Sequence, residues 1–283
     1  MARINILDSS LVLPQQSGLF GLPPASLLES ARAPQPSWAP GNQRAAQPKG
    51  VEQLAEDVRQ RVASQARAVG SALQTEAAEE VVNTLTHGLG LALSVVGGGV
   101  LVFCTHASGS TGQLVGCLVY GLAAIALYAA STLYHAATAP RLKRCLQFAD
   151  HACIYLFIAG TYTPFLLTAL RGPLGTGLLV LIWTMAAGGI LLKLANPQRL
   201  DSMTAWPYVA MGWVIIGAAK PLFTNLAPLA IVWLLAGGVA YTAGVWFYKQ
   251  ADRLYYHSIW HLFVLAGTVC HFCAVATGCV LTV

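Results

Sequence analysis

The sequence predicts an all-α fold, a bundle of seven transmembrane helices with the N-terminus in the cytoplasm and the C-terminus outside. Of the 283 residues 56% are hydrophobic, the mean hydropathy is +0.60, and only 10% are charged. An ordinary soluble domain is about 25% charged. A soluble protein of this size would need more polar groups to cover its surface, so the composition excludes that class. The apolar runs and the placement of the basic residues complete the prediction.

The N-terminal part of the chain is polar and precedes the predicted membrane domain at 79–283. Residues 1–50 are rich in Pro, Gly, Ser, Gln and Ala. Such a segment buries too little apolar surface to offset the entropy of ordering, so we predict a disordered tail. Residues 51–78 are strong helix formers that predict an amphipathic linker helix, either a solvated spacer or a membrane-surface element. Its apolar residues recur every fourth position at Leu54, Val58 and Val62.

Seven apolar runs are long enough to span a membrane, which takes about 20 mostly apolar residues per helix. They lie at 84–105, 112–135, 147–170, 174–194, 205–222, 227–248 and 256–281. The breaks between them contain Gly, Pro, Asn or charged residues, which are typical of turns and loops. The runs therefore predict seven spans.

The basic residues predict the orientation, because Lys and Arg near helix ends favour the cytoplasmic side. Seven lie on the connections that share the N-terminal side, and two lie on the opposite connections. The seven are Arg141, Lys143, Arg144, Lys193, Arg199, Lys249 and Arg253, and the two are Arg171 and Lys220. This orientation is opposite to that of G-protein-coupled receptors. We expect the protein to lie in a bacterial inner membrane, which is the simplest location for it. The last span has no lysine, which argues against a retinal protein.

Polar residues from four helix ends are predicted to meet at one membrane depth, on the cytoplasmic side. Ser131 and His135 lie four residues apart at the end of the second span, and Asp150 lies one turn into the third. His257 and His261, also four apart, begin the seventh. The first span begins with Glu80, Asn83 and His87. Ionisable groups inside a span are costly and usually mark function.

The chemistry of this set predicts a metal site. Two histidines at positions i and i+4 can reach one ion, and His135 from a neighbouring helix supplies a third neutral nitrogen. Three such ligands and a water molecule suit catalytic zinc. Asp150 would hold that water or orient a ligand, and Ser131 would donate a hydrogen bond to the water or to a substrate carbonyl. His271 lies about 15 Å from His261 along the helix axis, so we predict a packing role for it.

These residues also carry a family resemblance. Three motifs resemble those of the hemolysin III proteins, which belong with the progestin and adipoQ receptors. They are residues 79–88 (EEVVNTLTHG), residues 131–135 (STLYH) followed by Asp150, and residues 257–261 (HSIWH) followed by Gly267, His271 and Phe272. The resemblance covers residues 79–283 in motif order and spacing. It implies seven helices with the N-terminus inside.

The resemblance also implies a site. It implies zinc ligands at His135, His257 and His261, with Asp150 beside a zinc-bound water and Ser131 in the same pocket. For relatives, a zinc-dependent hydrolysis of lipid amides such as ceramide has been proposed. The family name implies cell lysis, although the sequence has no feature of a secreted pore former.

Three functional hypotheses follow. The first is a zinc-dependent hydrolase of lipid amides or esters, acting near the inner leaflet. The second is a non-enzymatic sensor or receptor of membrane state in which zinc is structural. The third is a channel or cytolysin, which the nearly charge-free outer halves of the helices disfavour. In each case we expect membrane lipids, and no nucleic acid, as partners.

Overall fold

The computed structural model of the protein describes residues 49–196 and 205–281, and this part of the chain is helical without a β-strand. The chain divides into two units, residues 1–73 and 74–283. In the first unit the described residues are helical, and the apolar side chains of Leu54, Val58 and Val62 are each more than half exposed. The predicted tail at 1–50 lies almost wholly outside the described residues.

The described residues form eight α-helices, numbered here in chain order. They are α1 (Lys49–Ser108), α2 (Thr111–Ala136), α3 (Pro140–Leu167), α4 (Pro173–Ala195), α5 (Trp206–Gly212), α6 (Ala219–Asn225), α7 (Pro228–Tyr248) and α8 (Tyr256–Val275). A 3₁₀-helix (Val214–Ala218) joins α5 to α6, and a π-helical turn (Ala276–Val280) extends α8. Because α5, the 3₁₀-helix and α6 together occupy the fifth span, the chain has the seven spans that the sequence predicts.

Five of these helices are long and apolar enough to cross a membrane, within the part of the chain that the structure describes. They are α1, α2, α4, α7 and α8. The third span, α3, has a less apolar composition because it begins with three basic residues and carries Asp150 and His151. The fifth span is divided into short pieces, each too short to cross alone.

The fifth span differs from the continuous helix that the hydropathy predicts. Pro221 has no backbone N–H, so the carbonyl of Gly217 loses the donor that a continuous α-helix would give it. Tyr162 of α3 supplies hydrogen-bond partners to other backbone groups in the break. Its hydroxyl lies 2.9 Å and 2.7 Å from the carbonyl oxygens of Met211 and Gly212. The same hydroxyl accepts from the N–H of Ile215 at 3.1 Å. Broken backbone is tolerated at membrane depth where such partners exist.

Small residues set the close approach of neighbouring helices. Gly98 of α1 faces Gly121 of α2, where a Cβ added to Gly98 would lie 3.3 Å from the Cα of Gly121. Gly90 of α1 leaves room for the ring of Tyr128 of α2. In membranes, where apolar burial does not drive association, such contacts let helices pack by van der Waals forces. They bring the first turns of the apolar part of α1 against the end of α2.

Candidate metal centre

Three histidines from two helices meet at one end of the bundle. His135 lies in the last turn of α2, and His257 and His261 lie in the first two turns of α8. One ring nitrogen from each lies within 4.8 Å of the others. His135 and His261 are buried and His257 is partly buried. Positions i and i+4 share a helix face, which is why both α8 histidines reach His135.

The two buried histidines fit a metal ligand set by their hydrogen bonds. Each ring is engaged through Nδ1, while the Nε2 of His135 and the Nε2 of His261 have no hydrogen-bond partner among the described residues. A buried nitrogen left unpaired costs about 1–3 kcal/mol. Neutral imidazole nitrogens are ligands that zinc prefers. The donor set therefore fits a zinc ion held by His135, His257 and His261.

Glu80 of α1 holds His135 in the orientation that leaves Nε2 available. Its Oε2 lies 2.5 Å from the Nδ1 of His135, and its Oε1 accepts from the ammonium group of Lys143 at 2.7 Å. Because a carboxylate only accepts, the Nδ1 of His135 is the donor and carries the proton. Carboxylate–histidine pairs of this kind commonly support metal ligands in proteins.

Helix α1 supports α8 in the same way. The hydroxyl of Thr86 lies 3.3 Å from the Nδ1 of His261. Ser258, which lies between the two histidines of α8, donates to the side-chain oxygen of Asn83 at 2.6 Å. Asn83 and Ser258 are both buried. The polar residues that begin the first span thus contact both helices that carry the histidines.

His87 lies directly on His261. The two rings are stacked, with centroids 3.5 Å apart and an interplanar angle of 22°. Tyr128 contacts His87 edge-on at 5.1 Å between centroids. His87 is 1% exposed, and neither of its ring nitrogens has a hydrogen-bond partner within the described ranges. It lies outside the three-histidine group and forms one wall of the centre.

Asp150 and Ser131 are neighbours beside this group. Asp150 of α3 is 4% exposed, and Ser131 lies one turn before His135 in α2 and is fully buried. The two side chains lie near each other, and the Ser131 hydroxyl makes no regular hydrogen bond to a described residue. Asp150 also interacts electrostatically with His135. The two residues add a proton acceptor and a donor to the centre without belonging to its ligand group.

Three polar residues have positions that the sequence did not predict. Lys143 pairs with Glu80 and lies seven residues before Asp150, two turns away along the same face of α3. Thr86 lies three residues after Asn83. Lys193, read from the sequence as a loop base, is buried at 2% exposure near the ring of Tyr208. Helical spacing offered a signal for Thr86 alone. Lys143 and Lys193 lie near helix ends, where a basic residue first indicates membrane orientation.

Three other histidines lie outside the three-histidine group, among them His271, for which the sequence predicts a packing role. His271 packs against Gly237 of α7 and contacts the ring of Tyr241, with centroids 5.2 Å apart. His106 is exposed near the end of α1. The backbone carbonyl of His151 accepts from the hydroxyl of Tyr208. None of these three histidines belongs to the metal-ligating group.

Comparison with known proteins gives a consistent result. A family model described as "Haemolysin-III related" matches residues 75–272. The chain is 44% identical over 196 residues to "Hemolysin-3" of Bacillus cereus, covering 69% of this chain and 89% of that protein. It is 40% identical over 202 residues to "Hemolysin-3 homolog" of Bacillus subtilis, covering 71% and 95%. It is also 28% identical over 205 residues to "Monocyte to macrophage differentiation factor" of Homo sapiens, covering 70% and 83%.

Proposed function

The chain belongs to the haemolysin III-related family of multi-pass membrane proteins, and from that premise we propose that its three-histidine centre binds zinc and hydrolyses an amide or ester bond of a membrane lipid. The observation that carries the proposal is the meeting of three histidine nitrogens within 4.8 Å of one another, beside a buried carboxyl and a buried hydroxyl. His135, His257 and His261 hold the ion.

The number of ligands supports a catalytic rather than a closed metal site. Structural zinc sites usually have four protein ligands, whereas catalytic sites have three and leave one position open. The group in the described part of the chain contains three residues, all histidine. Zinc bound there supplies a Lewis acid and lowers the pKa of a water molecule toward ~7.

The protein's own residues carry the remaining steps. Asp150 takes a proton from the attacking water as the water oxygen forms a bond to the carbonyl carbon. The hydroxyl of Ser131 donates a hydrogen bond to the carbonyl oxygen as negative charge develops there. When the carbon–nitrogen or carbon–oxygen bond breaks, Asp150 returns the proton to the leaving amine or alkoxide. The products are a fatty acid and the remaining amine or alcohol.

The surroundings support a lipid substrate. The centre lies among helices whose outward faces are apolar, including Leu133 and Leu262 near the histidines, each more than half exposed. A lipid carbonyl near a leaflet surface can reach such a depth, whereas a soluble substrate would have to leave water. We place the centre toward the cytoplasmic leaflet of a bacterial inner membrane on the distribution of Lys and Arg.

The test combines metal analysis with lipid cleavage by detergent-purified protein. We expect about one zinc per chain, as the three-histidine ligand set implies, and release of fatty acid from a lipid in a panel of amides and esters.

His257→Ala should lose both zinc and cleavage, whereas His106→Ala, an exposed histidine outside the group, should keep both. Asp150→Asn should keep zinc while cleavage falls by about 10²–10⁴-fold. Folded, zinc-loaded protein that cleaves no lipid in the panel would exclude the hydrolase.

A second candidate function has one supporting observation. The ligands come from α2 and α8, so a bound ion would join two helices that are distant in sequence. In that case zinc would act as a structural clasp in a non-enzymatic sensor or receptor of membrane state. Zinc would then raise the melting temperature and His257→Ala would lower it, and no turnover would appear with any lipid.

A further inference from the structure

Lys143 stands next to the proposed metal centre without belonging to it. Its ammonium group lies 2.7 Å from Oε1 of Glu80, and its side chain is 21% exposed, so the pair is mostly shielded from water. The ammonium group also lies 5.2 Å from the centroid of the Tyr134 ring. Tyr134 directly precedes His135 in α2. Lys143 is therefore held between the carboxylate that supports His135 and the ring beside it.

The two oxygens of Glu80 have different partners. One oxygen faces His135 and the other faces Lys143. The Glu80 side chain is 32% exposed, so without Lys143 the carboxylate would be free to rotate toward water. The ion pair between Oε1 and Lys143 prevents this rotation and keeps Oε2 hydrogen-bonded to the Nδ1 of His135. This hydrogen bond keeps the proton on Nδ1 and leaves Nε2 as the ligand atom.

We propose that Lys143 is a positioning residue for the metal centre, acting through Glu80 to fix the orientation and tautomer of His135. The proposal rests on the zinc site of the proposed function and deepens it. One face of helix α3 then carries two residues that act on the centre: Lys143 positions the ligand His135 through Glu80, and Asp150 accepts the proton. The two residues are about 10 Å apart along the helix axis. The contacts of Glu80 with His135 and Lys143 join the three consecutive helices α1, α2 and α3.

Zinc affinity tests the proposal. We would measure it by competition with a chromophoric chelator, and record the visible spectrum of the cobalt-substituted protein, which reports ligand geometry. Lys143→Met keeps most of the stem length and removes the charge, and we expect about 10-fold weaker zinc binding and an altered cobalt spectrum. Lys143→Arg should restore both. Glu80→Gln should weaken binding by about 10–100-fold.

Arg144→Met is the matched control, because Arg144 is an exposed base at the next position of α3. It should bind zinc as the unaltered protein does. If Lys143→Met binds zinc like the unaltered protein, or no more weakly than Arg144→Met, the positioning role is wrong while the zinc site stands. If the unaltered protein binds no zinc, or His135→Ala binds it equally well, the zinc site and the positioning role both fail. If Glu80→Gln does not fold, the comparison of Lys143→Met with Lys143→Arg and Arg144→Met still decides the outcome.

Discussion

Asn83 and Ser258 show how single polar residues connect the helices of the site. Both side chains are buried, and the serine hydroxyl donates to the asparagine oxygen at 2.6 Å across the contact between α1 and α8. Each would leave the other unsatisfied if it were removed alone, and a buried unpaired polar group costs about 1–3 kcal/mol. The start of α8, where His257 and His261 lie, depends on this contact.

A double-mutant cycle measures that dependence. We expect Asn83→Ala and Ser258→Ala each to lower the free energy of unfolding by about 1–3 kcal/mol, and the double variant to cost less than the sum. The measurement is an unfolding titration with SDS in mixed micelles. Thr84→Ala is the control, since Thr84 donates to the backbone of its own helix, and its effect should be about 0.5 kcal/mol or less. Additive effects in the double variant would contradict the contact.

Residue spacing predicted part of this site and missed another part. His257 and His261 share a face because they are four residues apart, and topology placed His135 at the same depth, so the grouping could be predicted. Lys143 could not be selected from the sequence, since a base near a helix end is evidence for orientation first. Its role depends on the side-chain position of Glu80, 63 residues earlier, and no local pattern records that distance.

At the scale of the element, the fifth span shows where hydropathy is insufficient. Residues 205–222 are apolar enough to predict one helix, but the span is built from α5, a 3₁₀-helix and α6. The break is possible because Tyr162, from α3, contacts backbone groups of the fifth span that a continuous helix would have paired. The number and order of the spans followed from local composition. The break did not, because its hydrogen-bond partner lies about 50 residues away along the chain.

Removing the Tyr162 hydroxyl should therefore destabilise the bundle. Tyr162→Phe keeps the ring and leaves the N–H of Ile215 and a carbonyl of the break without this partner, so we expect a loss of about 1–3 kcal/mol in the free energy of unfolding. Tyr155→Phe is the control, because the Tyr155 hydroxyl makes no hydrogen bond to another described residue. Unfolding in SDS and hydrogen exchange at residues 211–218 would measure the effect. Equal stability of the two variants would show that the hydroxyl does not support the break.

At the scale of the whole molecule, the role of a charged residue depends on its depth in the predicted membrane. Bases at the helix ends indicate orientation, and acids inside the bundle lie near the histidines. The exposed bases Arg141 and Arg144 begin α3 on the side of the bundle that carries the histidines, whereas Arg171 follows α3 at its other end. Glu80 contacts His135, and Asp150 is buried in α3 one helix away. The orientation of the bundle thus decides which leaflet the proposed hydrolase would use, and the distribution of bases predicts the cytoplasmic one.

Cysteine labelling in cells tests this orientation with residues that the structure shows to be exposed. Cys145 lies in the first turns of α3 and is exposed, so the unaltered protein carries a probe on the predicted cytoplasmic side. Arg171→Cys, introduced together with Cys145→Ser, places a probe after α3 on the predicted outer side. A membrane-impermeant maleimide should label the Arg171→Cys variant in intact cells and Cys145 only after permeabilisation. Cys145→Ser alone is the control for the remaining cysteines. Labelling of Cys145 in intact cells, with protection of Arg171→Cys, would reverse the topology and place the histidine centre at the outer leaflet.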